Sequence, residues 1–221
     1  MIKTVLFDLF ETLITEAQIG PTRASSLAAA LGLEHEAYRA EWKARRPRVV
    51  VGELSFADAL TEVSQTLVGR VDATAVQRIC EQRIREKAAA YARTDDQIAT
   101  LVTDLAHRCV GLGVVSNGFK EDVLPWSSCA LAPAFQCTAF SCDEGIAKPA
   151  TEIYLRAVRR LGARPETTVY IGDGADNELI GAEQAGLRAH RACWFVRSSF
   201  QKAVRPELAC CEDVLKLVEA G

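Results

Sequence analysis

The sequence predicts an α/β protein with a parallel sheet core, interrupted after its first strand by an all-helical subdomain. Short apolar runs of strand length recur near Thr4 to Leu9, Gly111 to Ser116, Cys137 to Phe140, Thr167 to Ile171 and Leu187 to Arg191. Helical patterns such as Asp95 to His107 and Pro149 to Leu161 lie between them, the alternation expected of a parallel sheet covered on both faces. Residues 15–93 break that alternation, since almost nothing in them reads as a strand. The expectation is a discontinuous Rossmann-like core of residues 1–14 and 94–221, with residues 15–93 as a helical cap.

Each element has its own reason. Thr4-Val5-Leu6-Phe7 is continuously apolar, as a strand buried on both faces should be. Ala24 to Leu31 predicts the first helix of the insertion and Tyr38 to Arg45 the second. Phe56 to Leu67 is a third, opened by a Ser55 to Asp58 capping pair, and Ala73 to Ala92 a fourth, free of Gly and Pro. Val49-Val50-Val51 is the one strand-like run in the block, equally compatible with a buried loop.

Composition narrows the function. A chain of 221 residues with 49% hydrophobic content can build a substantial core. The formal charge of −3, from 26 Lys plus Arg against 29 Asp plus Glu, comes without a long basic tract and argues against nucleic-acid binding. No apolar run approaches membrane-spanning length, and the first strand begins almost at Met1, so the expectation is a soluble, cytoplasmic protein. Eight cysteines include no Cys-x-x-Cys pair, and most are expected to be reduced core residues.

Four polar clusters follow predicted strand ends, where ligands bind in open α/β sheets. They are Asp8-Leu9-Phe10-Glu11-Thr12, Ser116-Asn117-Gly118, Lys148-Pro149 and Gly172-Asp173-Gly174-Ala175-Asp176-Asn177-Glu178. A carboxylate held at a strand end, as Asp8 would be, is a candidate nucleophile. In this order the clusters resemble those of the haloacid dehalogenase-like (HAD) hydrolase superfamily, over nearly the whole chain, and the helical block resembles its C1 cap. The resemblance implies that Asp8 attacks a phosphoryl group and that Mg²⁺ is held by Asp8, the main-chain carbonyl of Phe10 and Asp173, with Glu178 on a metal-bound water. It further implies that Thr12, Ser116 and Asn117 orient the nucleophile and phosphoryl group and that Lys148 neutralises both. The expected partner is a small phosphorylated molecule. The basic run Lys43, Arg45, Arg46 and Arg48 would suit an acidic substrate; Arg45 and Arg39 are the candidate substrate-binding residues.

Phe10 departs from the pattern, because phosphatases of this superfamily usually carry there a second Asp that protonates the leaving oxygen. Losing a general acid or base costs about 10² to 10⁴ in rate. Glu11, a cap residue, or a leaving group needing no acid, such as an acyl phosphate, are the possible remedies. Phe or Tyr at this position is also typical of metal-independent 2-haloacid dehalogenases, in which the segment matching Gly172-Asp173-Gly174 is generally uncharged. The favoured reading is therefore a Mg²⁺-dependent phosphohydrolase. The alternatives are a dehalogenase, or a degenerate relative that binds a phosphorylated ligand or protein partner without turnover.

Overall fold

A computed structural model describes residues 1–17, 24–195 and 207–220. The parts of the expected cap and core at 18–23 and 196–206, with Gly221, lie outside the described residues. Six parallel strands form one sheet in the order β3-β2-β1-β4-β5-β6, giving a Rossmann-like α/β core. They are β1 (Thr4–Phe7), β2 (Gly111–Ser116), β3 (Cys137–Phe140), β4 (Thr168–Gly172), β5 (Arg188–Ala192) and β6 (Glu207–Leu208). The first five fall within a residue or two of their predicted places, whereas the two-residue β6 carries too short a pattern to be read.

Side chains alternate across the strands and feed two cores. Val5 and Phe7 of β1 pack on one face with Ile98, Leu101 and Leu105 of α5 (Asp96–His107) and Val214 of α10 (Cys211–Ala220). Leu6 and Tyr170 point to the other face, against Ile153 and Ala157 of α8 (Thr151–Arg160) and Leu179 and Ala182 of α9 (Glu178–Gln184). Full burial of one such aliphatic side chain contributes roughly 1.5–3 kcal/mol. Among the described residues no helix is long and apolar enough to cross a membrane; all eight cysteines are free thiols, but against expectation only Cys129, Cys137 and Cys211 are buried.

Between β1 and β2 come α1 (Ala24–Ala30), α2 (His35–Val50), α3 (Phe56–Val68) and α4 (Ala73–Tyr91), before α5. Val49 and Val50, expected as strand or loop, instead end α2, which continues through Pro47. Both valines are buried in a third core with Tyr38, Phe56, Leu60 and Ile79, and that packing outweighs their β preference. Phe119, from the loop after β2, joins the same core and ties the insertion to the sheet. Ser141, which opens α7 (Ser141–Glu144), makes a second tie by donating to the Val50 carbonyl at 2.7 Å and accepting from the Gly118 amide at 3.1 Å.

The third tie is ionic. Asp122, in the short helix α6 (Lys120–Val123), faces Arg83 of α4 through two parallel contacts, Nε to Oδ1 at 2.7 Å and NH2 to Oδ2 at 2.9 Å. Lys87, one turn further along α4, lies 3.7 Å from Asp122 and 2.8 Å from Glu16. Burial pushes the Asp122 carboxyl up, but Arg83 and Lys87 outweigh it and hold the group below its ordinary value of 3.8. Asp122→Ala should leave the half-buried Arg83 without its counter-charge and buried Lys87 with Glu16 alone, and cost about 3–5 kcal/mol in urea unfolding at neutral pH. Because the folded pKa is the lower one, the contribution of Asp122 is complete above 3.8 and is lost as pH falls through the folded value. The unfolding midpoints of the two proteins should therefore converge in acid.

Candidate functional site

Asp8 follows β1 directly, and its amide donates to the Ile171 carbonyl of β4 at 2.8 Å. The register that pairs Phe7 with Ile171 then sets Asp8 beside Gly172 and close to Asp173. The chain leaves β1 for β2 on one side while β4 lies on the other, so these residues occupy the switch point of the sheet. Glu178 opens α9 and is fully buried. Gly172 permits this approach, since a Cβ there would stand 2.1 Å from Glu178 Oε1.

Lys148 joins these acids. Its ammonium donates to Asp8 Oδ1, to Glu178 Oε2 and, at 3.0 Å, to the Tyr170 hydroxyl. Tyr170 in turn donates to Glu178 Oε2 at 2.6 Å, and the Gly174 amide donates to Oε1 at 2.9 Å. Asn117 sets the lysine's backbone from both sides. Its Oδ1 accepts from the Lys148 amide at 2.8 Å, while its Nδ2 donates to the Lys148 carbonyl and to Asp176 Oδ2, both at 3.0 Å. Gly181 of α9 lies so close beneath that a Cβ would stand 2.3 Å from the Pro149 carbonyl oxygen.

Burial pushes Asp8 up to about 7; Lys148 opposes the rise and Glu178 adds to it. For Lys148 burial acts downward, but Asp8 and Glu178 outweigh it, so its pKa is raised and the ammonium is kept. Asp173 is also raised, first by burial, although one of its oxygens accepts from the Ala175 amide at 2.9 Å as a turn cap would. Carboxylate oxygens of Asp8, Asp173 and Glu178 lie within 4.8 Å of one another. Three acids around a single ammonium leave an excess of negative charge, and hard oxygen donors at this spacing fit a divalent cation such as Mg²⁺.

The other predicted residues are distributed as follows. Ser116 is buried at the end of β2. Thr12 is buried in the turn after β1, its hydroxyl without a protein partner, while its carbonyl accepts from Trp194 Nε1 at 2.8 Å. Arg39 and Arg45 are not brought to these acids. Arg39 is exposed beside Glu36, and Arg45 is held by Glu41, Glu62 and Thr66 within the insertion. The Glu11 carboxylate is turned along its own loop, accepting from Thr15 Oγ1 at 3.0 Å and the Glu16 amide at 2.8 Å. The Phe10 ring lies under the Lys87 ammonium, 3.8 Å from its centroid, and beside Tyr91. Sequence reasoning missed Tyr170. A tyrosine inside a buried strand, two residues before Gly172, is itself a signal, because a buried phenol needs a hydrogen-bond partner.

A family model described as haloacid dehalogenase-like hydrolase matches residues 2–186. The chain belongs to this family. It is 27% identical over 196 residues to the glyceraldehyde 3-phosphate phosphatase of Methanopyrus kandleri, covering 85% of this chain and 82% of that protein. Among solved structures, a HAD phosphatase from Thermococcus onnurineus superposes with a TM-score of 0.69 at 19% identity, covering 98% of both chains. The 2-haloacid dehalogenase of Pseudomonas syringae superposes with a TM-score of 0.63 at 22% identity, covering 100% of this chain and 99% of that one. The two structures share the fold of this chain.

Lys148→Met should remove the only counter-charge that Asp8 and Glu178 have among the described residues. Urea unfolding at neutral pH should then show a loss of about 3–5 kcal/mol.

Proposed function

We propose that this HAD hydrolase removes phosphate from a small phosphorylated molecule, with Asp8 as the nucleophile. The observation that carries this reading is the Asp8 carboxylate held by a buried lysine at a strand end, with two further carboxylates beside it. Asp8 forms a bond to phosphorus as the ester or acyl oxygen departs with the bonding electrons, leaving an aspartyl-phosphate. Water then attacks that phosphorus, and orthophosphate and free Asp8 are released. Such a displacement depends on positioning and on charge compensation at the phosphoryl oxygens.

Lys148 keeps a positive charge against Asp8 and the incoming phosphoryl group. Asn117, already holding the lysine's backbone, acts mainly through it, while Thr12 and Ser116 supply hydroxyls for the nucleophile and phosphoryl oxygens. Asp8, Asp173 and the Phe10 carbonyl would hold Mg²⁺, with Glu178 alongside. Such an ion would supply positive charge to the phosphoryl oxygens as two anions meet. Residues 15–93 would act as a cap that closes over the substrate and excludes bulk water.

At Phe10 the ring stacks under Lys87, and Glu11 is bonded within its own loop, so neither offers a proton to the leaving oxygen. Leaving groups that need no acid fit this arrangement. Acyl phosphates should therefore exceed alkyl phosphates in kcat/KM by about 10² or more, roughly the cost of a missing general acid. Phosphate release across both classes, with Mg²⁺ and with chelator, tests the reading, and release unaffected by chelator would remove the metal from it. Asp8→Asn should lower kcat at least about a thousandfold while circular dichroism stays unchanged. Halide release from 2-haloacids in chelator would favour dehalogenation instead.

A further inference from the structure

Two contiguous cavities open beside Lys148. One, of about 350 Å³, runs along Lys148, Pro149 and Asp176. The other, of about 260 Å³, lies between the helical insertion and the loop after β2, walled by Tyr38, Trp42, Phe56 and Phe119. Arg46, Val50 and Asn117 line both, so the two adjoin, and Lys148 in the wall of the first is the residue bonded to Asp8.

Two groups line this space without a protein partner, the Tyr38 hydroxyl, buried within it, and the Arg46 guanidinium, exposed where the two cavities meet. Tyr38 is wholly buried, and its hydroxyl has no protein partner. Burial pushes its pKa up to about 12, so it is a neutral donor. Arg46 forms no ion pair or hydrogen bond among the described residues. Its neighbours on α2 differ: Arg45 is tied to Glu41 and Glu62, Arg48 lies 3.7 Å from Glu62, and Lys43 lines neither cavity. The acid at the chamber wall, Asp122, is compensated by Arg83 and Lys87. The chamber therefore offers an uncompensated cation and a neutral donor above aromatic walls.

We infer that this chamber receives the substrate's leaving group and that Arg46, with the Tyr38 hydroxyl, selects one ending in a second anionic group. This rests on the phosphohydrolase reading for the first phosphate and adds the chemistry of the other end. A carboxylate and a second phosphate share that chemistry, since a guanidinium fork binds either through charge-assisted hydrogen bonds. Arg46 would be a specificity residue, contacting the substrate away from the reacting atoms.

Calorimetric titration of the full-length Asp8→Asn protein with Mg²⁺ and three ligands of one stem length tests this without turnover. The ligands are propyl phosphate, 3-(phosphonooxy)propanoate and propane-1,3-diyl bisphosphate. An anionic tail should tighten Kd roughly tenfold to a hundredfold over the propyl tail, the range of one charge-assisted contact. The larger gain of the two identifies carboxylate or phosphate as the group preferred. Adding Arg46→Gln should reduce the gain to less than about threefold and Tyr38→Phe should reduce it in part, whereas Lys43→Gln should preserve it. Equal affinity for all three ligands, or a gain that survives Arg46→Gln, overturns the inference. Tail discrimination in a protein whose wild type releases no phosphate from any substrate supports the chamber and overturns only the proposed reaction.

Discussion

A lysine ammonium out of contact with water, pinned between Asp8 and Glu178, is the interaction on which the site depends. Burying one cation is costly, and burying two carboxylates without it costs more. Each of the three is tolerable because the others are present. Their mutual hold brings together the end of β1, the loop between α7 and α8 and the start of α9, segments far apart in sequence. Tyr170 completes the arrangement from within β4, where its hydroxyl bonds both the lysine and Glu178.

The sheet provides the frame that makes such a cluster possible. With β1 hydrogen-bonded on both sides and buried on both faces, the residue after it has little freedom to move. Fixed position is the property a nucleophile most needs, because in-line attack tolerates little error. Close backbone approach does the remaining positioning, with Gly172 admitting the Glu178 carboxylate and Gly181 admitting the Pro149 carbonyl.

Much of this was legible in the sequence, for a physical reason. Buried parallel strands read as unbroken apolar runs, and Asp8, Lys148, Asp173 and Glu178 follow them at motif spacing, so the sheet and the acids around the lysine were foreseeable. The side of a helix that a cation occupies was less so. Arg39 and Arg45 stood out as basic residues early in the insertion, yet nearby glutamates pair with both. Arg46, adjacent in sequence, lines the cleft without an ion pair among the described residues. Only three-dimensional pairing separates them. The helical fate of Val49 and Val50 was hidden in the same way, since local preference favoured extension and tertiary burial decided otherwise.

Phe10 has a consequence beyond the missing proton donor. Its ring is the seat for Lys87 of α4, and Lys87 also reaches Glu16 and Asp122. An insertion that lifted away from the sheet would have to break an ammonium–ring contact only two residues from Asp8, and would leave two acids facing each other without their shared cation. The ring at that position thus joins α4 to the turn that follows β1. Were the helical insertion to move as a cap, opening the cleft would also pull on the nucleophile's own loop.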